Sequence, residues 1–138
     1  MNASDLRNTS APALLAGRAR SEPEGIAYRA KHLGLYRERT WQEYASLVAR
    51  AAQGLRALGL ARGKRIAIMG DACEEWLFAD LGAQSLGAIV YGVYPTASMG
   101  ELEYQMNDGG ASVFIAEDQE YVDNILQIAA RLPNLLWI

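Results

Sequence analysis

The stretch Gly63-Lys-Arg-Ile-Ala-Ile-Met-Gly-Asp-Ala-Cys-Glu-Glu-Trp76 decides the fold. The apolar run at residues 66–69 is too short for a helix and does not alternate with polar residues, which is typical of a strand covered on both faces. Asp71 and Glu74 follow with the spacing of a helix capping box. The stretch therefore predicts a buried strand and then a helix that starts at Asp71 and runs through Leu86.

The segment before this unit is predicted to be a helix over residues 40–59. Its apolar residues recur at steps of three and four and form one stripe. Thr40 and Glu43 have capping-box spacing at its start, and Gly59 suits the left-handed residue that ends a helix. The next helix, from Asp71, is apolar almost all round, so we expect it to be largely buried.

The strand and helix pattern continues to the C-terminus of the sequence. Residues 88–94 are predicted to be a second buried strand, an apolar run stopped by Pro95, and Ser98 and Glu101 make a third capping-box pair. Residues 112–116 read as a buried strand, Asp118 as the cap of a helix ended by Pro133, and residues 135–138 as strand-like. Such alternation predicts an α/β fold with a mainly parallel sheet and helices on both faces.

The N-terminal part has weaker signals. Residues 1–24 are interpreted as an arm in which Ser10 caps a short helix that extends to Gly17. Residues 26–31 and 35–39 flank Gly34 as a predicted β-hairpin with one face toward solvent. Residues 25–138 are expected to form one incomplete α/β unit cut from something longer, because the sequence stops inside an apolar run.

The composition of the chain disfavours several kinds of partner and cellular location. The 138 residues are 51% hydrophobic and carry a net charge of -3, with acidic and basic side chains mixed along the chain, so a nucleic-acid partner is disfavoured. Cys73 is the only cysteine and suits a reducing cytoplasm. No leader sequence and no apolar run of roughly 20 residues signals export or membrane insertion. We expect a cytoplasmic protein, with a peripheral position at a membrane left open.

Several residues invite a chemical interpretation and also have a structural one. Asp71, Glu74 and Glu75 could bind a cation, but carboxylates are stabilised at a helix N-terminus, so the structural interpretation is favoured. Cys73 lies in the same turn, where the neighbouring carboxylates oppose a lowered thiol pKa and no histidine is near in sequence. His32 is the only histidine and lies beside the hairpin turn.

Other known motifs are absent from the sequence. Residues 82–87 lack the G-x-S-x-G spacing of a nucleophile elbow, and neither common glycine-rich phosphate loop occurs. Helical spacing favours core packing for four aromatic residues, namely Trp41, Tyr44, Trp76 and Phe78. Ligands of parallel sheets bind beyond the carboxyl ends of the strands. That edge would hold Gly70-Asp71, residues 94–98 and Glu117-Asp118, with Tyr91 and Tyr94 nearby. No catalytic, cofactor-binding or metal residue is assigned.

The order of the segments carries a family resemblance. The relevant pieces are Thr40-Trp-Gln-Glu-Tyr44, Gly54-Leu-Arg-Ala-Leu-Gly59, Gly63-Lys-Arg-Ile-Ala-Ile68, Glu75-Trp76, Gly87-Ala-Ile-Val90 and Val93-Tyr-Pro-Thr-Ala-Ser98. Together they resemble the N-terminal region of AMP-forming adenylating enzymes. With Glu101-Leu-Glu-Tyr104 and Phe114-Ile-Ala-Glu-Asp118, the sequence is most similar to the long-chain fatty acyl-CoA synthetases. One departure is Asp71-Ala-Cys73, where family members commonly have asparagine.

The resemblance implies an acid–CoA ligase that uses ATP and Mg²⁺ to form an acyl-adenylate, which coenzyme A then captures as a thioester. The family's phosphate loop, nucleotide motifs and catalytic lysine would all follow residue 138. The chain alone is therefore expected to be an inactive fragment without a cofactor of its own, in which residues 25–138 are an incomplete α/β subdomain of the larger N-terminal AMP-binding domain. The fatty acid, ATP, Mg²⁺ and coenzyme A are implied for the full-length enzyme, and the partner of the fragment would be the remainder of its own chain. Acyl chain length and oligomeric state are not indicated.

Two alternatives remain open at the level of sequence. The chain could be a free-standing interaction module whose N-terminal arm and hairpin mediate self-association. An open apolar strand at residues 135–138 would also favour pairing with another chain. It could also be a flavodoxin-like binding domain, which rests only on the alternation of strands and helices.

Overall fold

The computed structural model describes residues 9–138. The first helix, α1 (Ala11–Ser21), begins where the Ser10 hydroxyl accepts a hydrogen bond from the Ala13 N–H. It runs four residues beyond the predicted end at Gly17. The part of the predicted arm before Thr9 lies outside the described residues.

Two strands, β1 (Ile26–His32) and β2 (Leu35–Thr40), form the predicted antiparallel hairpin. The turn consists of Leu33 and Gly34. The expectation of a single solvent-facing side holds only at the base of the hairpin, because residues 31–38 are all exposed. The outer half of the hairpin thus projects from the body of the protein.

Helix α2 (Trp41–Ala57) follows the hairpin directly and confirms the predicted capping box of Thr40 and Glu43. Gly59 adopts a left-handed φ of +85°. The Leu60 N–H donates to the Leu55 carbonyl, which completes a common helix stop. Leu60 is thereby folded back into the core.

Three parallel strands form the main sheet, in the order β4-β3-β5. These are β3 (Arg65–Met69), β4 (Ile89–Val93) and β5 (Val113–Ala116). The connecting helices are α3 (Glu74–Ser85) and α4 (Met99–Gly109), and α5 (Gln119–Ile128) leads into a 3₁₀ turn, Ala129–Arg131. The predicted α/β fold with a mainly parallel sheet is confirmed.

Helices cover both faces of this sheet. On one face, Leu102 and Met106 of α4 and Ile125 of α5 pack with Ala67, Met69 and Phe114. On the other face, Leu55 of α2 and Ala83 of α3 pack with Ile66 and Val113. Strand β3 is central and is buried from Ile66 to Met69, as its uninterrupted apolar sequence predicts.

Three predictions of burial and length need correction. Strand β4 forms an edge of the described sheet, so Ile89 is exposed rather than buried. Helix α3 is only half-buried, with Leu77 exposed, because α2 and the sheet cover only part of its surface. The strand-like residues 135–138 make only one bridge, from Trp137 to Val113.

Candidate functional site

The carboxyl ends of the three parallel strands meet at one edge. Met69 is in register with Val93 of β4 and Ala116 of β5, so Gly70, Tyr94 and Glu117 follow at the same level. The Asp71 N–H donates to the Glu117 carboxylate. A Cβ at Gly70 would overlap the Glu117 side chain, so this close approach requires glycine. Two of the three predicted edge segments are therefore in direct contact.

A cleft of about 720 Å³ opens between this edge and the hairpin. One wall is residues 28–32 of β1, and the other is residues 70–77, which include the start of α3. The cleft thus joins the loop after the central strand to an element that lies far away in sequence.

Glu74 connects the two walls of the cleft. Arg39 donates to both of its carboxylate oxygens, from Nε at 3.0 Å and from Nη2 at 2.9 Å, and the Tyr28 hydroxyl donates at 2.9 Å. The hydrogen bonds from Arg39 hold the pKa of Glu74 below its ordinary value. Burial, and then the bond to Glu74, raise the pKa of Tyr28. Glu74 is thus a charged anchor for the hairpin.

This arrangement shows that the predicted capping pair of Asp71 and Glu74 is wrong. Helix α3 starts at Glu74 and its N-cap is Cys73, which makes no side-chain capping hydrogen bond. The carboxylate that would have bonded back to the cap is instead held by Arg39. A bidentate guanidinium is the stronger partner, since hydrogen bonds between two charged groups exceed neutral ones.

The sequence candidates for cation binding and nucleophilic chemistry do not form a constellation. Glu74 is occupied, whereas Asp71 and Glu75 are exposed. Within residues 9–138, no three His, Cys, Asp or Glu side chains converge to hold a metal ion. Burial raises the pKa of the Cys73 thiol, with the Glu117 and Glu75 charges acting in the same direction. His32 lines the same cleft, and no hydrogen bond in the described part of the chain joins it to Cys73.

Three of the four aromatic residues predicted for the core pack together, and the fourth, Trp76, borders the cleft. Tyr44 contacts Tyr28 edge-on at a ring separation of 5.1 Å and lies 6.0 Å from Phe78. Trp41 packs in the same cluster. Trp76 is half-buried and lines the cleft.

The remaining candidates also have structural roles or stand in solvent. The Tyr91 hydroxyl contacts the Gln105 carbonyl at 3.4 Å, and burial raises the pKa of Tyr91. Tyr94 is exposed at the carboxyl edge. Ser85, in the segment with two glycines, donates to the Leu81 carbonyl inside α3 and does not form a nucleophile elbow.

Sequence reasoning missed Arg39 and Tyr28, the two residues that organise the cleft with Glu74. Both lie in the hairpin, 35 and 46 residues from Glu74. No local pattern marks either side chain, since each takes its place only when the hairpin packs against α3. In the folded hairpin, Tyr28 and Arg39 are paired in register near the base, and both side chains reach Glu74.

Comparison with known proteins identifies the family of enzymes to which this chain belongs. The chain belongs to the AMP-binding enzyme family, whose sequence model matches residues 15–136. It is 35% identical over 108 residues to human long-chain-fatty-acid–CoA ligase ACSBG1, covering 75% of this chain and 15% of that protein. It is 36% identical over 117 residues to the uncharacterized protein Rv1549 of Mycobacterium tuberculosis, covering 85% of this chain and 65% of that protein.

A solved structure extends the similarity to three dimensions. A fatty acyl CoA synthetase of Mycobacterium tuberculosis superposes with a TM-score of 0.80 at 27% identity. The alignment covers 92% of this chain and 26% of the synthetase. The chain thus spans about one quarter or less of these two named enzymes, and its fold matches that part of the synthetase.

Proposed function

We propose that this chain is the N-terminal part of an AMP-forming ligase that activates a long-chain fatty acid to its acyl-adenylate and then to its CoA thioester. The observation that carries the proposal is the family match across residues 15–136, together with the names of the similar ligases. The chain would supply scaffold and be inactive alone. A cytoplasmic setting belongs to the same proposal.

The charge of the carboxyl edge supports an inactive scaffold. This edge presents the carboxylates of Asp71, Glu117 and Asp118, which would repel the phosphates of ATP or coenzyme A. Glu74, a further carboxylate in the neighbouring cleft, is neutralised by Arg39 and is not available to Mg²⁺. This edge therefore offers no favourable charge to those phosphates, no three ligating side chains converge on a metal ion among residues 9–138, and we assign none of the edge residues to a chemical step.

The exposed apolar side chains at both sides of the sheet support a further covering element. Ile89 is exposed on β4, and Leu136 to Ile138 are exposed beyond β5. Edge strands of this kind bind additional chain. In the proposed enzyme, the remainder of the same chain covers them.

The test is to read the gene beyond codon 138 and to assay the complete product. We expect an open frame that encodes a Ser/Thr/Gly-rich loop ending in lysine, and a product that forms CoA thioesters from palmitate faster than from acetate. A complete product that makes thioesters only from short acids would refute the long-chain assignment. A stop codon at this point would favour the alternative below.

The alternative is a free-standing module that forms a homodimer through residues 135–138, at the side of the sheet next to β5. The exposed apolar side chains of Leu136, Trp137 and Ile138 favour this possibility, because a second chain could cover them. Sedimentation of the 138-residue chain, with and without residues 1–24, would distinguish an edge-paired dimer from one that depends on the N-terminal arm.

A further inference from the structure

The β1–β2 hairpin ends in a tip, which we define as residues 31–37, that exposes three large apolar side chains. Leu33, Leu35 and Tyr36 expose 90%, 73% and 70% of their surface. They lie together at the end of the hairpin, because Leu33 is in the turn and Leu35 and Tyr36 are the first residues after it. Clustered large apolar side chains on a surface commonly mark a binding site.

The backbone conformation of the turn indicates that Leu33 does not stabilise the fold. Leu33 and Gly34 both have positive φ angles, +48° and +82°, as in the tight hairpin turn that favours Asn-Gly. Among the described residues, Leu33 is the only one other than glycine with positive φ. A leucine here is both conformationally unfavourable and almost fully exposed, so its contribution to stability is negative. Such outliers are characteristic of functional positions.

The charge around the tip is opposite to that of the whole chain. The hairpin carries Arg29, Lys31, Arg37 and Arg39 against a single carboxylate, Glu38, whereas the chain has a net charge of -3. Arg29 pairs with Glu38 and Arg39 with Glu74. Within residues 9–138, Lys31 and Arg37 take part in no ion pair, and they flank the apolar side chains.

The strand register distributes these groups around the end of the hairpin. Lys31 is paired with Tyr36, so they share one face, and His32 is paired with Leu35 on the other. Leu33 extends at the apex between the faces. The apolar surface is therefore a small convex end with cationic neighbours, and it is not a flat patch.

We propose that the hairpin tip docks the protein end-on onto an anionic phospholipid bilayer. Leu33 and Leu35 enter the boundary between headgroups and acyl chains, and Tyr36 lies at headgroup level, where tyrosine is preferred. Lys31 and Arg37 contact the lipid phosphates. Three side chains on a convex end are too few for the roughly 800 Å² that each partner buries in a stable protein interface. A bilayer needs no complementary pocket.

The base of the hairpin is built to carry such a contact. Arg39 and Tyr28 attach the two strands to Glu74, and Tyr28 also packs against Tyr44 of α2. The tip is thus held at a fixed angle to the body of the protein. The inference does not depend on which acid the proposed ligase activates.

The test is sedimentation of the 138-residue chain with vesicles of phosphatidylcholine alone or with one-third phosphatidylserine. We expect binding to the mixed vesicles that weakens as salt is raised. Leu33→Asn should lower the binding constant about tenfold, since a buried leucine contributes that much to partitioning. The same variant should keep or raise the melting temperature, because asparagine is preferred at this turn position.

Three further variants separate the contribution of charge from that of apolar contact. Lys31→Glu or Arg37→Glu should weaken binding at least about fivefold, as expected for one basic group at an anionic surface. Leu126→Asn, which changes another exposed leucine on α5, is the matched control and should bind as the original chain does.

Several results would overturn the proposal. These are no binding to mixed vesicles at low salt, equal binding to both vesicle types, or unchanged binding by Leu33→Asn. A further outcome is that the original chain does not bind vesicles but forms a dimer, and that Leu33→Asn makes it monomeric. In that case the tip is a protein contact and the membrane assignment is wrong.

Discussion

Arg39 and Glu74 form a bidentate ion pair that fixes the hairpin to the first residue of α3. The two hydrogen bonds measure 3.0 and 2.9 Å, and the side chains expose only 27% and 19% of their surface. The pair joins segments separated by 35 residues. It accounts both for the orientation of the hairpin and for the absence of a capping side chain on α3.

The first prediction concerns the stability contributed by this pair. Glu74→Gln should lower the free energy of unfolding by about 1–3 kcal/mol, because it leaves the half-buried guanidinium of Arg39 without its charged partner. Urea titration followed by tryptophan fluorescence measures the change. The matched control is Glu38→Gln, since the Arg29–Glu38 side chains are 56% and 54% exposed and such pairs contribute about 0–1 kcal/mol. Equal effects of the two substitutions would contradict the anchoring role.

The second prediction is a pH dependence of the same variant. Because the pKa of Glu74 is lowered in the folded state, its contribution is fully present above its ordinary value of about 4.5 and is lost as the pH falls through the folded value. The stability difference between the original chain and Glu74→Gln should therefore be constant from pH 7 to 5 and shrink below that range. Urea midpoints at several pH values would show it. A difference that persists unchanged into strong acid would exclude ionisation of Glu74 as the source.

The third prediction contrasts two glycines of α4. A Cβ at Gly109 would overlap the phenol ring of Tyr91, whereas a Cβ at Gly100 would meet nothing within 4 Å. Gly109→Ala should therefore destabilise the protein by about 1–3 kcal/mol through overpacking. Gly100→Ala should stabilise it by about 0.5 kcal/mol through helix propensity. Thermal unfolding of both variants tests the packing of Tyr91 against α4, and a neutral Gly109→Ala would refute it.

The fourth prediction concerns Cys73, the only thiol of the chain. Burial raises its pKa, so the thiolate is scarcer in the folded protein than in an ordinary cysteine at the same pH. We expect iodoacetamide to modify Cys73 several-fold more slowly in the native chain at pH 8 than in urea, as followed by mass spectrometry. Faster modification of the native chain would revive the nucleophile interpretation.

Local patterns were sufficient for most of the fold and insufficient for the cleft. Capping-box spacing occurs at Thr40, Asp71 and Ser98, and the first and third form real capping boxes. The second does not, because Arg39 competes for the Glu74 carboxylate from a distant element. A rule that considers neighbours three residues apart contains no information about that competitor.

Burial at the sheet edges is the other feature that sequence did not resolve. The run at residues 88–94 is as apolar as that of β3, yet β4 is exposed at Ile89 because no further strand pairs with it among the described residues. An apolar run indicates that a strand can be covered. It does not indicate which part of a chain, or which partner, covers it.

The most direct test of the central claim is pyrophosphate release by the 138-residue chain given ATP, Mg²⁺, palmitate and coenzyme A. We predict none above a blank without protein, because in the proposed function this part of the chain supplies scaffold and the remainder supplies the groups that act on the nucleotide. Sustained release that depends on palmitate, at rates on the order of 1–10 per second as for a typical enzyme, would contradict the claim.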